Sequence, residues 1–127
     1  MLEFRSPDAD QLSRLDAALI KLANQKAEQF GLKLTVEPLG KHLPNSMSAE
    51  VQQAFQKSCE ELELSSTVLA SGAIHDAQSL VDVCPIGMIF VPSVDGASHA
   101  PREFTKWEDC VNGANVLLQT VLKLAAE

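Results

Sequence analysis

The sequence predicts an α/β fold, and three observations predict it. Ile86-Gly87-Met88-Ile89-Phe90-Val91 is a continuous apolar run between Pro85 and Pro92, which is how a central strand covered on both faces reads. Three segments space their apolar residues at three and four, as one-sided helices do. The two kinds of segment alternate along the chain, which favours layered helices and strands.

The elements follow in order. Leu2-Glu3-Phe4 alternates apolar and polar, as a short strand does. Ser6-Pro7-Asp8 opens a helix: serine suits the N-cap, proline the first helical position, and Asp8 the positive end of the dipole. Leu12, Leu15, Leu19, Leu22, Ala23 and Phe30 make its stripe, and Gly31 ends it. Leu32, Leu34 and Val36 alternate with Lys33, Thr35 and Glu37, a half-buried strand. Pro38, Gly40, Pro44 and Asn45 form a connecting loop. A helix from about Ser48 to Leu62 follows, with Val51, Ala54, Phe55, Cys59 and Leu62 on one face. Thr67-Val68-Leu69-Ala70 reads as a short strand, and a short helix occupies Asp76 to Val83. After the Ile86 run and a polar loop, Thr105-Lys106-Trp107-Glu108 forms a capping box. It opens a last helix with Val111, Ala114, Leu118, Val121, Leu122 and Ala125 inward and Trp107 as a packing anchor.

The 127 residues suit one ordinary domain, and 46% hydrophobic residues suffice for a real core. Ten basic against 17 acidic residues give a net charge of −7. That argues against nucleic acid as the main partner and disfavours an anionic membrane surface. No apolar run reaches the ~20 residues of a spanning helix, and the N-terminus has no secretory pattern. Three cysteines without a CxxC suggest reduced thiols and a cytoplasmic protein. Cys59 and Cys110 read as buried spectators.

Two histidines follow apolar strands. His99 lies in Asp95-Gly96-Ala97-Ser98-His99-Ala100-Pro101 and reads either as a metal ligand or as an exposed loop histidine, with Glu103 available to orient it. His75 lies in Ser71-Gly72-Ala73-Ile74-His75-Asp76 and reads either as an anion binder or as a histidine paired with Asp76. If the two strands are neighbours in a parallel sheet, both imidazoles reach one edge. Arg5 ends the first strand, where a guanidinium can grip a carboxylate or stand as a surface arginine.

Three stretches then take on a combined meaning: Ser71-Gly72-Ala73-Ile74-His75-Asp76-Ala77, Gly87-Met88-Ile89-Phe90-Val91-Pro92-Ser93, and Gly96-Ala97-Ser98-His99-Ala100-Pro101-Arg102-Glu103. Together with Glu3-Phe4-Arg5-Ser6-Pro7-Asp8 they resemble the C-terminal part of the metal-dependent hydantoinase/carbamoylase amidohydrolases. That family includes N-carbamoyl-L-amino-acid hydrolases, β-ureidopropionase and allantoate amidohydrolase, and it hydrolyses linear C–N bonds.

The resemblance implies a fragment of a two-domain metallo-amidohydrolase. Residues 1–39 would be the strand–helix–strand C-terminal half of a lid and dimerisation domain. Residues 43–127 would be the alternating helices and strands that close the catalytic domain. His99 would be a metal ligand for zinc or manganese. His75 would contact substrate and the developing oxyanion as a catalytic residue, and Arg5 would bind the substrate carboxylate. A homodimer through residues 1–39 is implied, and the missing N-terminal polypeptide is a second expected partner. Ile74 stands where the family pattern has glycine, and Glu3 where it has aspartate. The family's other metal ligands lie upstream, so the chain alone is expected to be inactive and to hold metal poorly. Two alternatives stand beside this reading: a non-enzymatic assembly or binding module, and one half of a split hydrolase.

Overall fold

In the computed structural model, which describes residues 2–126, the first helix opens at Asp8 rather than at Ser6. Asp8 Oδ1 accepts the backbone N–H groups of Asp10 and Gln11 at 2.8 and 3.0 Å. The Ser6 hydroxyl lies outside the helix; it accepts the Asp8 N–H at 3.1 Å and donates to Gln11 Oε1 at 2.5 Å. A charged carboxylate at the positive end of the dipole outcompetes a neutral hydroxyl for the cap. Pro7 therefore precedes α1, Ala9–Gln29, instead of starting it.

The C-terminal end of α1 is a Schellman motif. Leu32 N–H donates to Ala27 O at 2.8 Å and Gly31 N–H to Glu28 O at 3.1 Å. Gly31 sits at φ 62°, where only glycine is free of strain. The α1 stripe is covered only in part: Leu12, Leu19 and Ala23 are half-buried, whereas Leu15, Leu22 and Phe30 are exposed.

The chain divides into two compact units, Met1–Ser46 with Ala70–Ile74, and Met47–Leu69 with His75–Glu127. The outer ends of the two expected domains, Met1 and Glu127, lie outside the described residues. In the first unit, Arg5 Nη1 donates to Gly72 O at 2.5 Å and ties the 70–74 segment to the N-terminal residues.

The second unit is built on α2, Ala49–Glu61, and α3, Trp107–Leu124. Ser48 caps α2, accepting the Val51 N–H at 3.4 Å. The far end is another Schellman motif, with Leu64 N–H on Cys59 O at 2.9 Å. Here Glu63 takes the left-handed position at φ 56°. The capping box expected at Thr105 does not form. Lys106 is the N-cap residue and no side chain caps α3, because the helix starts one residue too late for Thr105 to reach its third N–H.

The two helices meet through small and polar side chains. Thr120 Oγ1 donates to Ser58 Oγ at 2.9 Å, and these two residues are 1% and 0% exposed. Lys123 Nζ donates to Ser58 Oγ at 3.3 Å and pairs with Glu61 Oε2 at 2.7 Å. The covered face of α3 is thus Gly113, Val116, Thr120 and Lys123, not the expected Val111, Leu118, Val121 and Leu122, which are exposed. Trp107, read as a packing anchor, is 80% exposed.

The Ile86 run lies on both helices. Ser48 N–H donates to Ile86 O at 2.8 Å, and a Cβ at Gly87 would meet Val51 Cγ1 at 2.5 Å and Phe55 Cε2 at 3.1 Å. A Cβ at Gly113 would meet Val91 Cγ1 at 2.5 Å. The run forms no ladder, however. None of the four segments expected as strands, Leu2–Phe4, Leu32–Val36, Thr67–Ala70 and Ile86–Val91, is paired among the described residues. A strand exists only with a neighbour, and Val68 and Leu69 are exposed. The core is correspondingly small: Ile86, Ala97 and Val116 are the buried hydrophobics among the described residues. No helix there is long and apolar enough to cross a membrane.

Gly87 fills a gap too small for a methyl group against two stiff side chains, so Gly87→Ala should lower the unfolding free energy by about 1–3 kcal/mol. A urea melt of the variant beside the wild type measures it; equal stability would show that the run does not sit on α2.

Candidate functional site

Ser93 organises the loop that carries His99. Its hydroxyl donates to Ala97 O at 2.5 Å and lies 3.5 Å from Phe104 O. Val94 N–H donates to Phe104 O at 2.8 Å, which closes the loop at its base. Inside, Gly96 N–H reaches Ser93 O at 3.0 Å and Ala97 N–H reaches Val94 O at 3.2 Å. Asp95 and Gly96 turn the chain with φ of 56° and 63°, a dipeptide suited to positive φ. Ala97 is buried beneath, and its neighbours are exposed.

His99 is an exposed residue at φ 55°. Such a conformation costs on the order of 1 kcal/mol for a residue with a Cβ and persists where neighbours hold it. Here the holder is Glu103, whose Oε2 accepts the His99 backbone N–H at 2.6 Å. The sequence made Glu103 available to orient the imidazole; its carboxylate holds the main chain beneath it.

His75 precedes a five-residue 3₁₀ turn, Asp76–Leu80, shorter than the expected helix to Val83. Gln78 N–H donates to His75 O at 2.9 Å, and His75 N–H donates to Gln78 Oε1 at 3.4 Å. The half-buried imidazole meets the Phe90 ring edge-to-face, with centroids 5.6 Å apart at 60°. One flank of His75 is therefore apolar, supplied by the Ile86 run.

Arg5 belongs to the first unit. Its Nε donates to Glu3 Oε1 at 2.6 Å, and Nη2 lies 2.5 Å from the same oxygen. With Nη1 on Gly72 O, the guanidinium is held on three nitrogens although the pair is more than half exposed. Exposed pairs of this kind contribute little stability, so their consequence is orientation.

Among the described residues no group of three or more His, Cys, Asp or Glu side chains is placed to hold a metal ion. His99 is thus a lone candidate donor, and these residues do not by themselves fit a catalytic metal, which needs about three protein ligands. Cys59, Cys84 and Cys110 are free, with Cys84 exposed and the others half-buried rather than fully buried. Sequence reasoning missed Ser93, Phe90 and the Gly72 carbonyl; only the Asp95-Gly96 turn and the Glu3/Arg5 alternation signalled any of them.

The profile of peptidase family M20/M25/M40 matches residues 3–123. The chain belongs to this family. Among M20 relatives, it is 40% identical over 98% of its length to the N-carbamoyl-L-amino acid amidohydrolase of Geobacillus stearothermophilus, covering 31% of that protein. It is 38% identical over 65% of its length to the allantoate amidohydrolase of Escherichia coli K12, covering 20% of it. The structure superposes on an amidase of the hydantoinase/carbamoylase family from Burkholderia multivorans with a TM-score of 0.88 at 36% identity, covering 96% of this chain and 30% of that one. The chain therefore spans less than a third of the length of these M20 proteins.

The Glu103 contact yields a local expectation. Glu103→Ala should leave global stability within about 1 kcal/mol, while the His99 amide exchanges its hydrogen at least ten-fold faster. Amide exchange followed by NMR separates the two; unchanged His99 protection would remove Glu103 from the loop's support.

Proposed function

We propose that this chain is the C-terminal section of a metal-dependent amidohydrolase that cleaves linear C–N bonds in N-carbamoyl or ureido amino-acid-like substrates. One observation carries the reading. The family match spans residues 3–123, a range that includes Arg5, His75 and His99. In this reading residues 1–39 are half of a lid and residues 43–127 close the catalytic domain. The four apolar runs become strands when the rest of the sheet lies beside them.

The roles follow from the chemistry of the bond. Adding water across a carbamoyl C–N bond builds negative charge on the carbonyl oxygen before nitrogen departs. A hydrogen-bond donor fixed beside that oxygen favours the transition state over the substrate. His75 is assigned that donor, and the Phe90 ring on its flank limits the positions its imidazole can take. Arg5 is assigned the substrate carboxylate, with Glu3 and Gly72 O setting the direction of its guanidinium. His99 is assigned one ligand of a zinc or manganese ion whose other ligands come from outside this chain. The proposed compartment is the cytoplasm.

On this reading the purified chain should not hydrolyse N-carbamoyl amino acids or allantoate, with or without added zinc or manganese. Turnover by a clean preparation that His99→Ala abolishes would overturn it. The proposed self-association rests on Leu15, Leu22, Leu32 and Leu34, exposed in the lid-like section. Light scattering at micromolar concentration should give twice 13.7 kDa, and Leu19→Glu should halve it, because a charge in an apolar interface is costly. A monomeric mass that persists as concentration rises would remove the dimer.

A further inference from the structure

Helix α3 has a covered side and, opposite it, an uncovered apolar one. One side, Gly113, Val116, Thr120 and Lys123, is covered or half-covered within its own unit. The other is a stripe of Val111, Ala114, Leu118, Val121, Leu122 and Ala125. At about 100° per residue these six positions span roughly 100° of the helix surface, centred opposite the covered side. Leu118, Val121 and Leu122 are 58%, 53% and 63% exposed. Between Asp109 and Lys123 the helix carries no charged residue. By contrast α1 places Arg14, Asp16, Lys21, Lys26 and Glu28 along its length, as a helix with one side in water does. The α3 pattern is that of a helix covered on both sides.

Something must cover the second side, and the comparison with solved structures indicates its kind. This chain holds, at a TM-score of 0.88, the shape of a section of a chain of which it covers only 30%. A second copy of this chain would bring no complementary section of that fold. We infer that the outward stripe of α3 docks on the part of an M20-family polypeptide that this chain does not carry. The inference rests on the C-terminal-section reading above and adds to it the surface on which the two parts join. The buried Ser58–Thr120 pair already secures the inner side, so the docking surface is preformed and needs no rearrangement of α2.

The test co-expresses this chain, tagged, with the part of the Geobacillus stearothermophilus amidohydrolase outside its matched 31%. The two should co-purify one to one. Leu118→Glu with Val121→Glu should cut the yield of complex more than ten-fold. Val83→Glu, which adds the same charge at an exposed apolar position off the helix, should not. Absence of a complex with the wild type, or equal loss with Val83→Glu, overturns the inference. A second measurement guards against simple misfolding: the doubly substituted chain alone should unfold at the same urea concentration as the wild type. Clear destabilisation would mean that the stripe is already packed, and overturns the inference. So does a wild-type dimer that the double substitution dissolves, which would assign the stripe to a second copy. A complex that forms but does not hydrolyse N-carbamoyl amino acids leaves the docking surface standing and removes the proposed activity.

Discussion

The second unit depends on one contact between hydroxyl groups. Ser58 and Thr120 are its most deeply buried side chains, and they hold α2 against α3 with a bond of 2.9 Å. A bond between two buried hydroxyls contributes only about 1 kcal/mol net. Its consequence is geometric. Small side chains at the crossing let the two helices lie close, and an unpaired hydroxyl at that depth would be costly, so the register of α2 on α3 is specified. Lys123 and Glu61 extend the same contact toward solvent. The Ile86 run lies where Gly87 faces Val51 and Phe55 and where Gly113 faces Val91. From there it presents Phe90 to His75 and leads into the loop that carries His99.

The helices were legible because their information is local. A stripe repeated at three and four, a cap and a left-handed glycine all lie within one segment, and α1 and α2 appear where those signals place them. Errors of one or two residues at the caps have local causes. Ser6 and Thr105 have the right chemistry, but Asp8 has a stronger claim on the same N–H groups and α3 begins beyond the reach of Thr105. The strands were illegible for the opposite reason. Alternation in Leu32–Val36 and the unbroken Ile86 run record which sides of a segment avoid water, not which chain lies beside it. The buried side of α3 was misread likewise: the most apolar stripe was assigned inward, yet the interface formed through Gly113, Val116 and Thr120.

The candidate site divides along the same line. The positions of His75 and His99, each after an apolar segment and before a turn or loop, could be read from the order of the elements. The roles proposed for them could not be read from spacing; they came from resemblance, which compares whole constellations. What neither route disclosed was the support. Glu103 engages the His99 main chain rather than its ring, Ser93 closes the loop through two carbonyls, and Glu3 binds its own neighbour two residues away. These are contacts between groups close in sequence whose pairing depends on exact backbone angles, and composition carries no record of angles.

That distinction separates what the His99 loop settles for itself from what depends on the rest of an M20 fold. The His99 loop is closed by Ser93, Val94 and Glu103, all within a dozen residues of the histidine, and none of its bonds depends on a ligand. The strain at His99 is therefore met locally, by bonds that form as the loop folds. A metal centre is the reverse case. It needs about three donors converging from separate segments, and convergence is a property of the whole sheet, not of a loop. On the proposed reading, local pinning prepares one donor, while the number of donors is settled by how much of the fold is assembled around it.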